Sequence, residues 1–219
     1  MASNREEISP AIRAVTPHFG PRVVTALGRF ARAKPLGLAG ALILVFIGLV
    51  TAFAQLIAPY DPLDASYARS LPMSGTHWLG TDPLGRDVFS RVIMGSQISI
   101  YVGVASVFFG VGLGSMIGIV SAYMGGVVDL VVQRFIDAIQ AFPGLVLAMA
   151  IMVTLGQSVN NVIIAIAILL IPGGARIIRG TTLSIKEQTY IDSARAVGCS
   201  SIRIMVRHIL PNTIAPIII

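Results

Sequence analysis

Two stretches of the chain carry groups whose types and spacing could do chemistry. The first reads His77-Trp78-Leu79-Gly80-Thr81-Asp82-Pro83-Leu84-Gly85-Arg86-Asp87-Val88-Phe89-Ser90-Arg91. His77, Asp82 and Asp87 are metal-ligand types, but nothing in their spacing demands a metal. Asp82-Pro83-Leu84-Gly85 has the preferred residues of a type I turn, with Asp first, Pro second and Gly fourth. A short amphipathic helix is predicted to follow, with Val88, Phe89, Val92 and Ile93 apolar and Asp87 facing Arg91 at i,i+4. Trp78 suits a lipid–water boundary. The reading of this stretch is a structural turn and an interfacial helix, without a metal.

The second stretch follows the last long apolar run. Ser184-Ile185-Lys186-Glu187 has capping-box spacing and predicts a helix start, with Lys186 as an exposed charge near it. Ile191, Ala194 and Val197 give that helix an apolar side, and Gly198 can end it in the left-handed conformation. Ser200 can then cap a second helix, with Ile202, Met205, Val206 and Ile209 opposite Arg203 and Arg207, and Pro211 limits it. This helix–glycine–helix hairpin is cationic and too short to be a domain. Its residues alone allow two roles: lying on anionic headgroups, or docking a soluble partner.

No other stretch offers catalysis. Gly110-Val111-Gly112-Leu113-Gly114 follows no predicted strand, so it is not a nucleotide-binding turn. Ser106, Gly110, Gly114, Gly118 and Ala122 instead place one small residue every four positions, a ridge along which another helix can approach closely. There is no Gly-x4-Gly-Lys-Ser/Thr phosphate loop and no acid–base pair in mid-span, so the power for any transport is expected from elsewhere. No cofactor is implied.

The elements that position these residues belong to a membrane. Of 219 residues, 55% are hydrophobic and 12% charged. Water-facing domains carry roughly 25% charged residues. The mean hydropathy is +0.83. The single cysteine, Cys199, excludes an intramolecular disulfide and a cysteine-based zinc site. Four uncharged runs are predicted spans: Leu36–Ala58, Ile98–Met124, Ala138–Leu155 and Val162 to about Ala175, where Pro172-Gly173-Gly174 interrupts the last. Thr213 to Ile219 begins a fifth. Ala52-Phe53-Ala54 resembles a signal-peptidase site, but the basic region before it is too long, so the first run is read as a retained anchor. The organisation is a tail over 1–35, a first transmembrane helix over 36–58, an external segment over 59–97 and a helical core over 98–219. The hairpin loop occupies 180–212.

The formal net charge is +6 and the isoelectric point about 10.1. With the N-terminus inside, thirteen Lys and Arg residues fall in the cytoplasmic segments and three in the external ones. The positive-inside rule selects that orientation and accounts for the basic charge without nucleic acid. The fold class is all-α, a polytopic integral membrane protein.

Both chemistry-bearing stretches resemble a known family. Asp192-Ser193-Ala194, Gly198 and Arg207-His208-Ile209-Leu210-Pro211-Asn212 resemble the E-A-A-x3-G-x9-I-x-L-P loop of ABC importer permeases. Leu79-Gly80-Thr81-Asp82 with Gly85-Arg86-Asp87 and Ser90-Arg91 is similar to the signature of the dipeptide/oligopeptide/nickel-type branch. Arg134, Asp137, Phe142-Pro143 and Ala175-Arg176 sit where that branch has similar residues. Asp192 stands for Glu, Ser193 for Ala and His208 for Ile; Asp keeps the carboxylate with a shorter reach.

The resemblance implies the type I importer permease fold in a bacterial inner membrane. A second permease subunit would share the path, two cytoplasmic ATPase subunits would hydrolyse ATP, and an external binding protein would deliver peptides or similar small solutes. Thr189, Tyr190, Asp192, Ser193, Ala194, Gly198, Ser200 and Pro211 would couple to an ATPase. Gly80, Thr81, Asp82, Gly85, Arg86, Asp87 and Arg91 form the external signature, and Arg134, Asp137 and Arg176 a cytoplasmic rim. Family members continue through two further spans, so a truncated product or fragment is expected. The alternatives are a secondary transporter or membrane enzyme acting alone, or a non-transporting truncated fragment.

The charge asymmetry places Ser3 inside and Ser74 outside. Ser74→Cys in a Cys199→Ser background should react with an impermeant thiol reagent added to intact cells. Labelling only after membrane disruption would reverse the orientation.

Overall fold

The computed structural model describes residues 33–218, so Ser3 and most of the basic tail lie outside the described residues. The chain divides into two units at Ala52/Phe53. The first contributes α1, Pro35–Ala52. Proline opens the helix, where its missing N–H costs nothing, and Lys34 O accepts from Leu38 N at 3.1 Å. Eighteen residues reach about 27 Å at 1.5 Å each, close to the thickness of a hydrocarbon core. The helix ends at Ala52, and a separate short helix over Ala54–Ile57 follows within the predicted run.

The second unit is mostly helical, with its long irregular segment over 58–87. It contains α2 (Ala54–Ile57), α3 (Val88–Met124), α4 (Gly126–Gln140), α5 (Gly144–Leu155), α6 (Val159–Lys186), α7 (Thr189–Ala196), α8 (Ser201–Ile204), a π-helical turn (Met205–Ile209) and α9 (Leu210–Ile218). Among the described residues the only β-type pairing is one bridge, Thr81 to Asp87.

Helices α3 and α6 form the centre. The Ser106 hydroxyl donates to Ile163 O at 3.4 Å. A Cβ built on Gly110 would lie 2.6 Å from Ala167 O, one on Gly114 2.4 Å from Ile171 O, and one on Gly118 2.5 Å from Ala175 O. Each pair is separated by the same 57 positions. The helices therefore run parallel and in constant register, with the small-residue ridge against the α6 backbone. Ala122, the last residue of the ridge, is fully buried.

Two parallel neighbours require the chain between them to travel back. That return is α4 plus α5, two helices bent by 88° about a break of three residues. The third run therefore differs from the single span expected over Ala138–Leu155. Its first residues complete α4, and Pro143 stops continuation because it has no N–H to donate. Asn161 closes the turn into α6, its amide donating to Leu155 O at 2.8 Å and Gly156 O at 2.9 Å.

Two further expectations are corrected. Val88 to Met124 is one helix of 37 residues, not an interfacial helix followed by a span. Helix α6 passes through Pro172-Gly173-Gly174 and ends at Lys186. Pro172 removes one helical hydrogen bond, but it is buried, and Gly174 lets Val111 approach to 3.2 Å from where a Cβ would stand. Packing on α3 holds the helix where local propensity would end it.

Gly114→Leu would drive a side chain into Ile171 O, and overpacking of this kind costs roughly 1–3 kcal/mol. The variant should lose thermal stability in detergent. Leu113→Ile, on the exposed side of the same helix, should change it little. Equal melting of both variants would place Gly114 away from a helix contact.

Candidate functional site

The polar and charged groups collect at the two ends of the α3–α6 pair. At the N-terminal end of α3, Asp82 organises a clamp. Its carboxylate accepts from Leu84 N at 2.8 Å, Arg86 N at 3.0 Å and Arg86 Nε at 2.9 Å, and it also pairs with Arg91. Gly85 N donates to Asp82 O at 2.9 Å, closing the turn. Desolvation pulls the Asp82 carboxyl upward, but the Arg86 and Leu84 N–H groups and the Arg86 guanidinium outweigh it and hold the pKa at about 2, against an ordinary 3.8.

Asp87 does a different job. It is fully buried, caps α3 by accepting from Ser90 N at 2.8 Å, and meets His77 Nδ1 at 2.9 Å. Burial raises its pKa, yet the Ser90 and His77 hydrogen bonds bring it below the usual carboxylate range. The expected Asp87–Arg91 pair does not form, because Asp87 is committed to the cap and Arg91 turns to Asp82. Thr81 donates to Ala68 O at 2.6 Å and accepts from Leu71 N at 2.8 Å. The left-handed Gly80 and Gly85 let the backbone of the preceding loop pass where a Cβ would stand 2.3 Å from Leu71 O and Tyr67 O. Tyr60, Tyr67 and His77 form a ring cluster of edge-to-face and tilted contacts with centroids 4.8 to 5.3 Å apart. His77 and Asp87 thus pair with each other, while Asp82 holds Leu84, Arg86 and Arg91. Trp78 packs on Phe89 with centroids 4.9 Å apart.

Toward the C-terminal end of α3, ion pairs bind α4 to α6. Arg179 grips Asp129 through two bonds, Nε to Oδ1 at 2.7 Å and Nη2 to Oδ2 at 2.6 Å. Arg176 donates to Asp137 at 2.8 Å. Of the three residues assigned to a rim, Asp137 and Arg176 meet, while Arg134 is exposed elsewhere on α4. The Asp129–Arg179 pair was not anticipated, because the partners lie 50 residues apart and only helix packing brings them together.

The hairpin follows directly. Gly198 has φ +81. Gly198 N donates to Arg195 O at 2.9 Å and Cys199 N to Ala194 O at 3.0 Å. These two bonds make a Schellman motif, which satisfies the last carbonyls of α7. Ser200 caps α8, accepting from Arg203 N at 3.4 Å. Ser193 donates to Thr189 O at 3.0 Å, and Asp192 pairs with Arg195 at 3.0 Å. Tyr190 lies beside His208, with centroids 6.3 Å apart, and Pro211 is exposed.

The apolar faces of the hairpin differ from those expected. Ile191, Ala194, Ile204 and Ile209 are buried against Ile119 of α3 and Ile178 of α6. Val197, Ile202 and Val206 point outward, at 79%, 71% and 58% exposure. The π turn supplies the reason: Leu210 N donates to Met205 O, five residues back, so buried positions recur at 204 and 209. The widened turn also precedes Pro211, whose ring would crowd the carbonyl four residues earlier in a regular helix. Pro211 therefore does not limit the helix, which continues to Ile218. Ser184 and Glu187 do not start a helix, since α6 runs through Lys186. Lys186 is partly buried: its Nζ donates to Ala122 O at 3.3 Å and lies 5.9 Å from the centre of the Tyr123 ring.

Comparison with known proteins accounts for this combination. Residues 110–219 match the family described as binding-protein-dependent transport system inner membrane component. Residues 26–72 match the N-terminal transmembrane domain of oligopeptide transport permease C. Glutathione transport system permease protein GsiD from Escherichia coli O6:K15:H31 (strain 536 / UPEC) is 44% identical over 191 residues, covering 86% of this chain and 63% of that protein. GsiD of Shigella boydii serotype 4 (strain Sb227) shows the same identity and coverage. GsiD of Shigella dysenteriae serotype 1 (strain Sd197) is 43% identical over the same coverage. The chain spans 63% of the length of these relatives. An all-α polytopic membrane protein with these matches belongs to the binding-protein-dependent ABC transport permeases of the inner membrane.

Proposed function

We propose that the chain is a permease subunit of an ATP-binding-cassette importer, forming part of the path for small peptides, with glutathione the first solute to test. The observation that carries this reading is the hairpin. Its inner face is anchored on α3 and α6 by four buried apolar residues, Ile191, Ala194, Ile204 and Ile209. Its outer face offers Val197, Ile202 and Val206 beside Arg203 and Arg207. An exposed apolar patch rimmed by cations on a rigid base is suited to a groove on a soluble protein.

In this reading the hairpin is cytoplasmic and docks one of two ATPase subunits through Thr189, Tyr190, Asp192, Ser193, Gly198, Ser200 and Pro211, while Ala194, also expected to couple, is buried and anchors the hairpin from within. ATP hydrolysis belongs to those subunits and not to this chain. The Asp82–Asp87 clamp is external, on the side where a binding protein delivers solute, and a second permease subunit completes the path. The N-terminus is cytoplasmic. The parallel α3–α6 pair supports this sidedness, because it puts the clamp and the hairpin at opposite ends of one rigid unit. Transport then requires that the ATPases bind the two access states unequally, since equal affinity shifts nothing.

Gly198 provides the test. A non-glycine residue held left-handed costs roughly 1–2 kcal/mol, and asparagine is among the residues that tolerate the conformation best. In the permease assembled with its partners and reconstituted in vesicles, Gly198→Val should uncouple ATP hydrolysis from glutathione uptake, and Gly198→Asn should retain coupling. Unchanged uptake and stimulated hydrolysis in Gly198→Val would remove the hairpin as the docking element and leave it as a bilayer-surface loop.

A further inference from the structure

Tyr123 stands in the last turn of α3 and meets both elements that lead to the hairpin's far face. Lys186 Nζ, at the end of α6, lies 5.9 Å from the ring centre, and Arg195 Cζ, on α7, lies 5.6 Å from it. Each cation is also tied elsewhere, Lys186 to Ala122 O at 3.3 Å and Arg195 to Asp192 at 3.0 Å. The ring packs on the apolar cluster that includes Ile119, Ile178, Ile191 and Ala194. One planar group is therefore shared by α3, α6 and α7.

We infer that Tyr123 is a positioning residue that passes displacement of the cytoplasmic hairpin to the α3–α6 pair, an inference that rests on the docking role proposed above. The attraction of a cation to an aromatic face follows the ring's quadrupole, so an aliphatic side chain of similar bulk fills the space without holding Arg195 or Lys186. The location suits transmission. Immediately beyond Tyr123 and Met124 come Gly125, between α3 and α4, and Gly126, which opens α4, two consecutive positive-φ residues at +67 and +54. Beyond them Asp129 holds Arg179 of α6. A shift of α7 that carries the ring thus acts where the backbone has the freedom to swing, and hinges of this kind absorb such motion in a few residues.

The test uses the permease assembled with its ATPases and reconstituted in vesicles, with glutathione-loaded binding protein as the probe. Tyr123→Leu should retain the ATPases on purification and keep basal hydrolysis, but lose roughly fivefold or more of the stimulated hydrolysis and uptake, the scale of a typical coupling energy. Tyr123→Phe, which keeps the ring, should restore both. Arg195→Gln leaves the ring and its packing in place and should show the same loss of stimulation, and it decides the matter if Tyr123→Leu fails to assemble. Wild-type stimulation in Tyr123→Leu, or in Arg195→Gln where the first does not assemble, with ATPases bound, would overturn the inference and leave docking intact. Failure of the unaltered permease to retain ATPases would overturn docking itself, a separate result.

Discussion

The approach of α3 to α6 is the contact on which the rest of the molecule depends. In lipid there is no hydrophobic gain from bringing two apolar helices together, so association relies on close packing over length. Gly110, Gly114 and Gly118 permit that packing by removing side chains where the facing carbonyls would otherwise collide. The constant separation of 57 positions along the contact then makes the helices parallel. Parallel neighbours oblige the intervening chain to return, and the return is made by two helices with a sharp bend at Phe142-Pro143.

Charge is placed at the ends of this pair with different consequences. At the clamp, both aspartates have dedicated donors: backbone N–H groups and two arginines for Asp82, a helix cap and His77 for Asp87. That arrangement fixes a turn and a helix start. At the hairpin, polar groups tie separate helices together instead. The doubly bonded Arg179–Asp129 pair joins α6 to α4, and Lys186 and Arg195 converge on Tyr123. A paired guanidinium and carboxylate is specific in geometry as well as attractive, so it sets how α4 leans on α6.

The hairpin illustrates how a backbone irregularity redistributes a surface. A regular helix after Ser200 would bury positions three and four apart and turn Ile202, Val206 and Ile209 the same way. The π turn adds one residue to its turn and so brings Ile209 inward in line with Ile204, while Ile202 and Val206 stay outside. The same short segment therefore both adheres to the membrane helices and presents apolar side chains away from them.

Much of this was legible in the residues themselves. Composition and long uncharged runs determine a helical membrane protein, because uncharged stretches of that length have no other stable setting. Four-residue spacing of small side chains marks a contact face, Asp82 to Gly85 a turn, and Gly198 and Ser200 a reversal with a cap, since each depends on neighbours in sequence. What lay beyond reach depends on partners far along the chain. Only packing on α3 carries α6 through Pro172, only the parallel register forces α4 and α5 to share one return, and only the converging ends of α3, α6 and α7 bring Lys186 and Arg195 to Tyr123. Those outcomes follow from which surfaces meet in space, where burial and pairing outweigh the local preferences that a sequence displays.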